Sequence, residues 1–337
     1  WIQGGLCIVT TIACMFFAAI SGSAMATTSA IGGFMIPEME KRGYSRPFSA
    51  ALAASAGTIG VIIPPSIPFV IYAVVVGESI SDLFMAGIVP GILMGVVLII
   101  VSVFRTGGEN VSKGERPTFK KVWVSFKGAF WALLTPVIIL GGIYSGIFTP
   151  TESAVVAVVY CFVVSVFIYR EIDLKGVYDS FYRSISVNGM TTFMVGSMAF
   201  AAYLTMERIP HKIAAAMLSV TDNRIVLLLL INVFLLFIGC LIDNIPATII
   251  LSPILLPVVT QIGMSPITFG VMLTMNLAIG FVTPPYGINL FVAAGISGEP
   301  MTRLIKPMLF FIGGLLIALG LTTFCEPVTL GLLGLMK

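Results

Sequence analysis

Long apolar stretches separated by short polar ones run along most of this 337-residue chain. Runs able to cross about 30 Å of hydrocarbon, at about 1.5 Å of rise per residue, lie near 88–105, 127–145, 151–169, 186–206, 223–242 and 307–323. These predict transmembrane helices. Two more apolar stretches, 48–76 and 267–297, are cut by Ile63-Pro64-Pro65-Ser66-Ile67-Pro68 and by Thr283-Pro284-Pro285-Tyr286-Gly287. A proline withholds its amide and its ring collides with the preceding turn, so neither stretch can be one continuous helix. Segments 6–20 with 29–39, and 223–242 with 249–262, are predicted to enter and return as hairpins, each turning at a polar tip. Amphipathic pieces at 79–84, 118–126 and 174–185 are predicted to lie as arms in the membrane interface.

Composition settles the medium. Hydrophobic residues make up 58% of the chain and charged ones 10%, against about 45–50% and about 25% in a soluble domain. So few charges cannot cover a water-soluble globule, whereas lipid wets an apolar exterior directly, and the chain reads as an all-α polytopic membrane protein. The net charge of +3 is spread over short loops with no basic stripe, which argues against nucleic acid as a partner and leaves membrane lipid as the surrounding one. The five cysteines form no CxxC and the lone histidine, His211, cannot build a metal site, so neither a disulfide framework nor a transition metal is expected.

Charge also orients the spans. With the first hairpin rooted in the cytoplasm, the inside loops collect the basic residues of 41–46, 105–127 and 170–183 together with Arg303 and Lys306. Only Arg208, Lys212, Arg224 and Lys337 fall outside, as the positive-inside rule requires. The second hairpin is then rooted on the opposite face.

Offsetting the chain against itself by 220 residues aligns Thr28 with Thr248, Pro37 with Pro257, Gly60 with Gly280 and Pro64-Pro65 with Pro284-Pro285. Chance apolar similarity would match Leu and Val rather than helix breakers, so two copies of hairpin plus broken helix are predicted. Their opposite insertion makes this an inverted repeat, the architecture of secondary transporters with a site near the midplane. The expected organisation is a first transport repeat over 1–87, scaffold helices and arms over 88–222, a second transport repeat over 223–306 and a C-terminal scaffold helix over 307–337. Three spans precede the second hairpin and none the first, so symmetry predicts roughly one hundred further residues upstream of Trp1.

Four polar breaks should then converge: the tips 21–29 and 243–248, and the turns 57–66 and 280–289. Irregular backbone at membrane depth is tolerated only where protein, water, ions or substrate satisfy it. Carbonyls and hydroxyls are hard donors suited to Na⁺, and half-helix N-termini favour a carboxylate, which points to a cation-coupled carrier of an anion. Asp243, the deepest carboxylate, would pair with a cation, a proton or substrate hydroxyls, or else cap the returning helix. Ser21 and Ser23 are either site hydroxyls or small packing residues. Ser66 and Asn289 either face the cavity or cap the second half-helices. Glu152, after Thr149-Pro150, is an early helix residue without a transport role.

The stretches GSAMATTSAIGGFMIPEMEKRGY, AGTIGVIIPPSIPFVIYA, YSGIFTPTESAVVAVVY, IDNIPATIILSPILLPV and NLAIGFVTPPYGINLFVAAG resemble the large membrane subunit, DctM type, of tripartite ATP-independent periplasmic (TRAP) transporters. The resemblance covers essentially the whole chain. It implies a multi-pass protein of the bacterial inner membrane, not an enzyme, that imports an organic acid on a Na⁺ gradient by an elevator movement. It further implies a small membrane subunit, separate or fused, a periplasmic substrate-binding protein, and no cofactor beyond Na⁺. Carried over residue by residue, it places substrate at Ser21, Ser66 and Asp243. It places Na⁺ at Ser23, Gly57, Thr58, Gly60, Ile63 and Pro64 in the first half, and at Asn244, Gly280, Thr283 and Asn289 in the second. This chain departs from the family pattern at Ala26-Thr27-Thr28 and Asn244-Ile245-Pro246. Family substrates include C4-dicarboxylates, keto acids and sugar acids. A tip rich in hydroxyls opposite Asp243 suits a polyhydroxylated monocarboxylate, sialic acid first, because Asp243 would repel a second carboxylate. The alternatives are a C4-dicarboxylate or other organic-acid permease, a divalent-anion/sodium symporter without a binding protein, and an intramembrane hydrolase. The last lacks a plausible partner set, since His211 is expected near the outer surface.

Overall fold

A computed structural model describes residues 4–106, 118–188 and 223–336, with isolated positions between 189 and 222. His211 and most of the span expected at 186–206 lie outside the described residues. The chain divides into two compact units, Trp1–Gly114 with Ala201–Lys337, and Glu115–Phe200.

In the first unit, α1 (Gly5–Ser21) and α2 (Ala24–Lys41) form the first hairpin, with Gly22 between them at φ 61°. Next, α3 (Arg46–Gly57) runs into a 3-10 turn at Thr58–Val61, and the chain resumes after the proline pair as α4 (Ile67–Val76) and α5 (Ile80–Thr106). The second unit holds α6 (Phe119–Tyr144), α7 (Pro150–Val163), which continues as a π turn to Ile168, and α8 (Leu174–Asn188). Back in the first unit, α9 (Arg224–Gly239) and α10 (Asn244–Gln261) form the second hairpin. They are followed by α11 (Pro266–Gly280), α12 (Ile288–Ser297), α13 (Met301–Phe324) and α14 (Pro327–Met336). Among the described residues, five helices are long and apolar enough to cross a membrane: α5, α6, α7 with its π turn, α10 and α13.

Both expected hairpins and both expected breaks are present. The bounds also recur at the 220-residue offset: α2 answers to α10, α3 begins where α11 begins, and α4 falls within one residue of α12. The returning helices begin earlier than the polar tips imply, because Ser23 accepts from the Ala26 amide at 3.4 Å and Asp243 from the Asn244 amide at 2.8 Å. Each side chain supplies an acceptor to an amide the helix leaves orphaned, so Thr27, Thr28 and Thr248 are helical rather than tip residues.

Three expectations need correction. Residues 79–84 are not a surface arm: Ser79 caps the start of α5, accepting from the Asp82 amide at 3.2 Å, and Leu83 and Phe84 are buried. Residues 118–126 are the beginning of α6 rather than a separate arm. The C-terminal segment is two helices, parted at Cys325-Glu326. Glu152 behaves as expected: it forms a capping box with Thr149, whose amide donates to Glu152 Oε2 at 2.8 Å.

Two helices sit at the centre of the first unit. All residues of α3 from Phe48 to Gly57 and of α11 from Thr268 to Gly280 are buried. The short alanine and serine side chains of α3 let α1, α2, α12 and α13 approach closely. The short helices that follow the breaks are exchanged between the halves. The first-half α4 packs on α10 and α11, and the second-half α12 packs on α2 and α3. Tyr72 of α4 shows how this is held: it is fully buried, its hydroxyl donates to the Pro266 carbonyl at 2.6 Å, and its ring meets Phe269 edge-on at 6.1 Å. The outward faces carry exposed Phe16, Phe34, Val74, Phe237 and Ile317, a surface suited to lipid.

Candidate functional site

The first break follows from what two prolines withhold. In a continuous helix the Val61 carbonyl would accept from the amide of residue 65, but Pro65 has none. The Ser66 hydroxyl takes its place, donating to Val61 O at 2.6 Å while its oxygen accepts from the Phe69 amide at 3.3 Å and caps α4. The second break repeats the problem at Phe281 and Pro285 with a different answer. The backbone amide of Asn289 donates to the Phe281 carbonyl at 3.0 Å, and Thr283 Oγ1 donates to Ile279 O at 2.8 Å.

Each hairpin tip seats on the break of its own half. A Cβ on Gly60 would meet Thr27 Oγ1 at 2.5 Å and the Ser23 carbonyl at 2.6 Å, one on Gly57 would collide with Thr28 Oγ1, and one on Gly22 would meet the Pro65 carbonyl at 2.7 Å. The tip hydroxyls bind one another, Ser21 Oγ lying 3.0 Å from Thr27 Oγ1 and Thr27 Oγ1 donating to Ser23 O at 2.8 Å. On the other side Gly280 lies against the backbone of Gly239. Asn244 is buried, donating from Nδ2 to the Thr274 carbonyl at 3.3 Å and accepting from Thr248 Oγ1 at 2.9 Å.

The sequence-derived residues thus gather as two clusters. One holds Ser21, Ser23, Gly57, Thr58, Gly60, Ile63, Pro64 and Ser66; the other holds Asp243, Asn244, Gly280 and Thr283. Asn289 joins the halves, its Nδ2 donating to the Ala54 carbonyl of α3 at 3.2 Å, and the 3-10 turn packs on α11. Ser21, Ser23, Ile63, Thr283 and Asp243 are half-buried, the others buried. No direct contact joins Asp243 to Ser21 or Ser66 among the described interactions.

Four buried side-chain oxygens in or beside these clusters have no hydrogen-bond partner among the described residues: Thr28 Oγ1, Thr274 Oγ1, Asn276 Oδ1 and Asn289 Oδ1. Thr28 lies against Gly57 and Asn289 is tied to Ala54, so both free acceptors stand at the last turn of α3. A buried oxygen with an unused lone pair is costly in a bilayer and is the kind of ligand a hard monovalent cation takes. Sequence reasoning passed over Thr274, Asn232 and Asn276. The last two form a buried amide pair, Asn276 Nδ2 donating to Asn232 Oδ1 at 2.6 Å. The signal was available, since an asparagine within an apolar span as long as 224–239 marks a polar contact between helices. No group of three or more His, Cys, Asp or Glu able to hold a metal occurs among the described residues.

Comparison with known proteins gives the family. The family of the tripartite ATP-independent periplasmic transporter, DctM component, matches residues 1–328. The chain is 45% identical over 334 residues to the isethionate TRAP transporter permease protein DctMQ of Oleidesulfovibrio alaskensis, covering 97% of this chain and 52% of that one. It is 39% identical over 332 residues to the C4-dicarboxylate TRAP transporter large permease protein DctM of Pseudomonas aeruginosa, covering 98% and 78% respectively. It is 34% identical over 321 residues to the sialic acid TRAP transporter permease protein SiaT of Haemophilus influenzae, covering 95% and 52%. The chain therefore spans about half the length of some of these relatives and about three quarters of others. A match over nearly the whole chain, together with five helices among the described residues long and apolar enough to cross a membrane, identifies an inner-membrane transporter component and not an enzyme: the chain belongs to the DctM family of TRAP transporters.

Proposed function

We propose that this chain is the ion-coupled transport subunit of a TRAP importer for a singly charged organic acid, driven by Na⁺ and built as an inverted repeat that moves as an elevator. The observation that carries the ion coupling is the pair of unpartnered buried oxygens, Thr28 Oγ1 and Asn289 Oδ1, at the end of α3. The exchange of α4 and α12 between halves, with matching element bounds and matching proline breaks, supports the inverted-repeat reading. Na⁺ at the first break would neutralise the field into which a carboxylate then binds, with Ser21, Ser66 and Asp243 about the solute.

Substrate class follows from charge. Asp243 is half-buried and accepts from one amide only, so it can receive hydroxyl hydrogen bonds but opposes a second anionic group. Isethionate, sialic acid and 2,3-diketo-L-gulonate, named for three of the relatives, each carry one acidic group; C4-dicarboxylates, named for others, carry two. Sialic acid remains the member of this class favoured from the sequence. The chain would act with a small membrane subunit, for which the name DctMQ of the 45%-identical relative is suggestive, and with a periplasmic binding protein that delivers the solute.

Reconstitution of the complete transporter tests this. Uptake of a labelled monoanionic acid into proteoliposomes is expected to require both an inward Na⁺ gradient and the binding protein, and to stop when K⁺ replaces Na⁺. Full uptake without Na⁺ would refute the ion assignment. Uptake on a Na⁺ gradient without the binding protein would instead favour the divalent-anion symporter alternative.

A further inference from the structure

Away from the breaks, the start of α3, the end of α5 and the first half of α13 line an open-sided cavity of about 190 Å³, formed among others by Ser45, Pro47, Phe48, Arg105, Lys306 and Phe310. Two of these are cations and none is an acid. Nearby Lys41, Arg42, Arg46 and Arg303 are each paired with a glutamate, whereas neither Arg105 nor Lys306 is in an ion pair among the described residues. The Arg105 guanidinium lies 4.9 Å from the centroid of the Phe310 ring. This cation–π contact holds the guanidinium beside the ring, and its N–H groups can still donate to an oxyanion.

The cavity also receives the N-terminus of a twelve-residue helix. Ser45 stands at the N-cap of α3 but makes no side-chain cap, Pro47 has no amide to offer, and the first amide of this turn with a carbonyl partner is that of Ser49. The amides of Arg46 and Phe48 therefore remain at the positive end of the helix dipole. Beneath them the floor is aromatic, Phe48 lying 5.6 Å from Phe311 between ring centroids. Beside the cavity the surface is apolar and open: Phe104 is 82% exposed and Leu309 58%, with Ile100 one turn along α5 also exposed. Unpaired cations and free amides that adjoin an exposed apolar stripe match a ligand with an anionic head and a hydrocarbon tail. A free anion would use only the first part.

The geometry points to this cavity as a binding site for the phosphodiester headgroup of an anionic phospholipid. Arg105, Lys306 and the first-turn amides of α3 hold the phosphate, and an acyl chain lies along Ile100 and Phe104. The charge-derived orientation puts Arg105 and Lys306 on the cytoplasmic side, where anionic headgroups give the leaflet its negative potential. The inference is independent of substrate and ion coupling.

Native mass spectrometry of the full-length protein in detergent, titrated with phosphatidylglycerol, phosphatidylcholine or inorganic phosphate, tests it. Phosphatidylglycerol is expected to be retained in preference to phosphatidylcholine and not to be displaced by inorganic phosphate. Arg105→Gln and Lys306→Gln should each weaken retention roughly fivefold, and together roughly 30-fold, while Arg105→Lys with Lys306→Arg keeps it. Ser45→Asp supplies a good N-cap and so preserves folding, yet places a carboxylate on the phosphate position, and it should abolish the preference. Equal retention of the two lipids, or a preference unchanged in the Ser45→Asp protein, overturns the proposal. Displacement of the lipid by inorganic phosphate alone overturns the lipid assignment in favour of a free-anion site.

Discussion

Thr28 and Ser66 are both buried hydroxyl residues near the first break, yet their side chains are in opposite circumstances. Ser66 Oγ donates to Val61 O and accepts from the Phe69 amide, which leaves it one lone pair for a solute, so Ser66→Ala should cost about 1 kcal/mol through the lost cap as well as impairing uptake. Thr28 Oγ1 has no partner, so Thr28→Val, which keeps the shape, should leave the melting temperature unchanged or raise it. If that oxygen is a Na⁺ ligand, the same variant should raise the Na⁺ concentration for half-maximal uptake by about tenfold. An unaltered Na⁺ dependence would remove Thr28 from the ion site. Asp243 separates charge from capping: Asp243→Asn retains the acceptor that receives the Asn244 amide, and is expected to abolish transport while thermal unfolding stays within about 0.5 kcal/mol of the parent.

At the scale of elements, the approach of each tip to its break leaves no room for a side chain. Gly280→Ala would drive a methyl group into the Gly239 backbone, and Gly60→Ala into Thr27 and the Ser23 carbonyl. Because backbone cannot yield as a flexible side chain does, both variants should lose more than about 1–3 kcal/mol and transport with it. Gly313, with nothing within 4 Å of its Cβ position, is the control expected to tolerate alanine. The exchanged α4 is held by Tyr72, and Tyr72→Phe removes only the bond to the Pro266 carbonyl. It should lower stability by about 1 kcal/mol in a thermal-shift measurement, whereas a loss several times larger would mean that the hydroxyl organises more than this contact.

For the whole molecule, the decisive quantities are the coupling ion and the charge of the solute. In reconstituted transporter, competition by one-charge acids should exceed competition by C4-dicarboxylates, and in the transport-dead Asp243→Asn protein, read by competition for solute binding rather than uptake, that difference should narrow as the repulsion against a second carboxylate is lifted. Dicarboxylate competing as well as monocarboxylate in the parent protein would disprove the proposed substrate class.

Residence in a bilayer, the helical class, the hairpins and both breaks were legible in the chain itself, because apolar length and the missing amides of Pro64, Pro65, Pro284 and Pro285 are local properties that no packing can reverse. The family was legible for the same reason: its motifs are the helix breakers and tips. Element ends were less so. Ser79 reads as part of a polar, amphipathic piece, and only the burial of Leu83 and Phe84 makes 79–84 the start of a spanning helix. What tertiary structure alone decided is which atoms meet. Asn289 finds Ala54, α4 finds α10, and Thr28 is left without a partner, since contacts between residues hundreds of positions apart depend on how two halves interlock and not on the pattern within either.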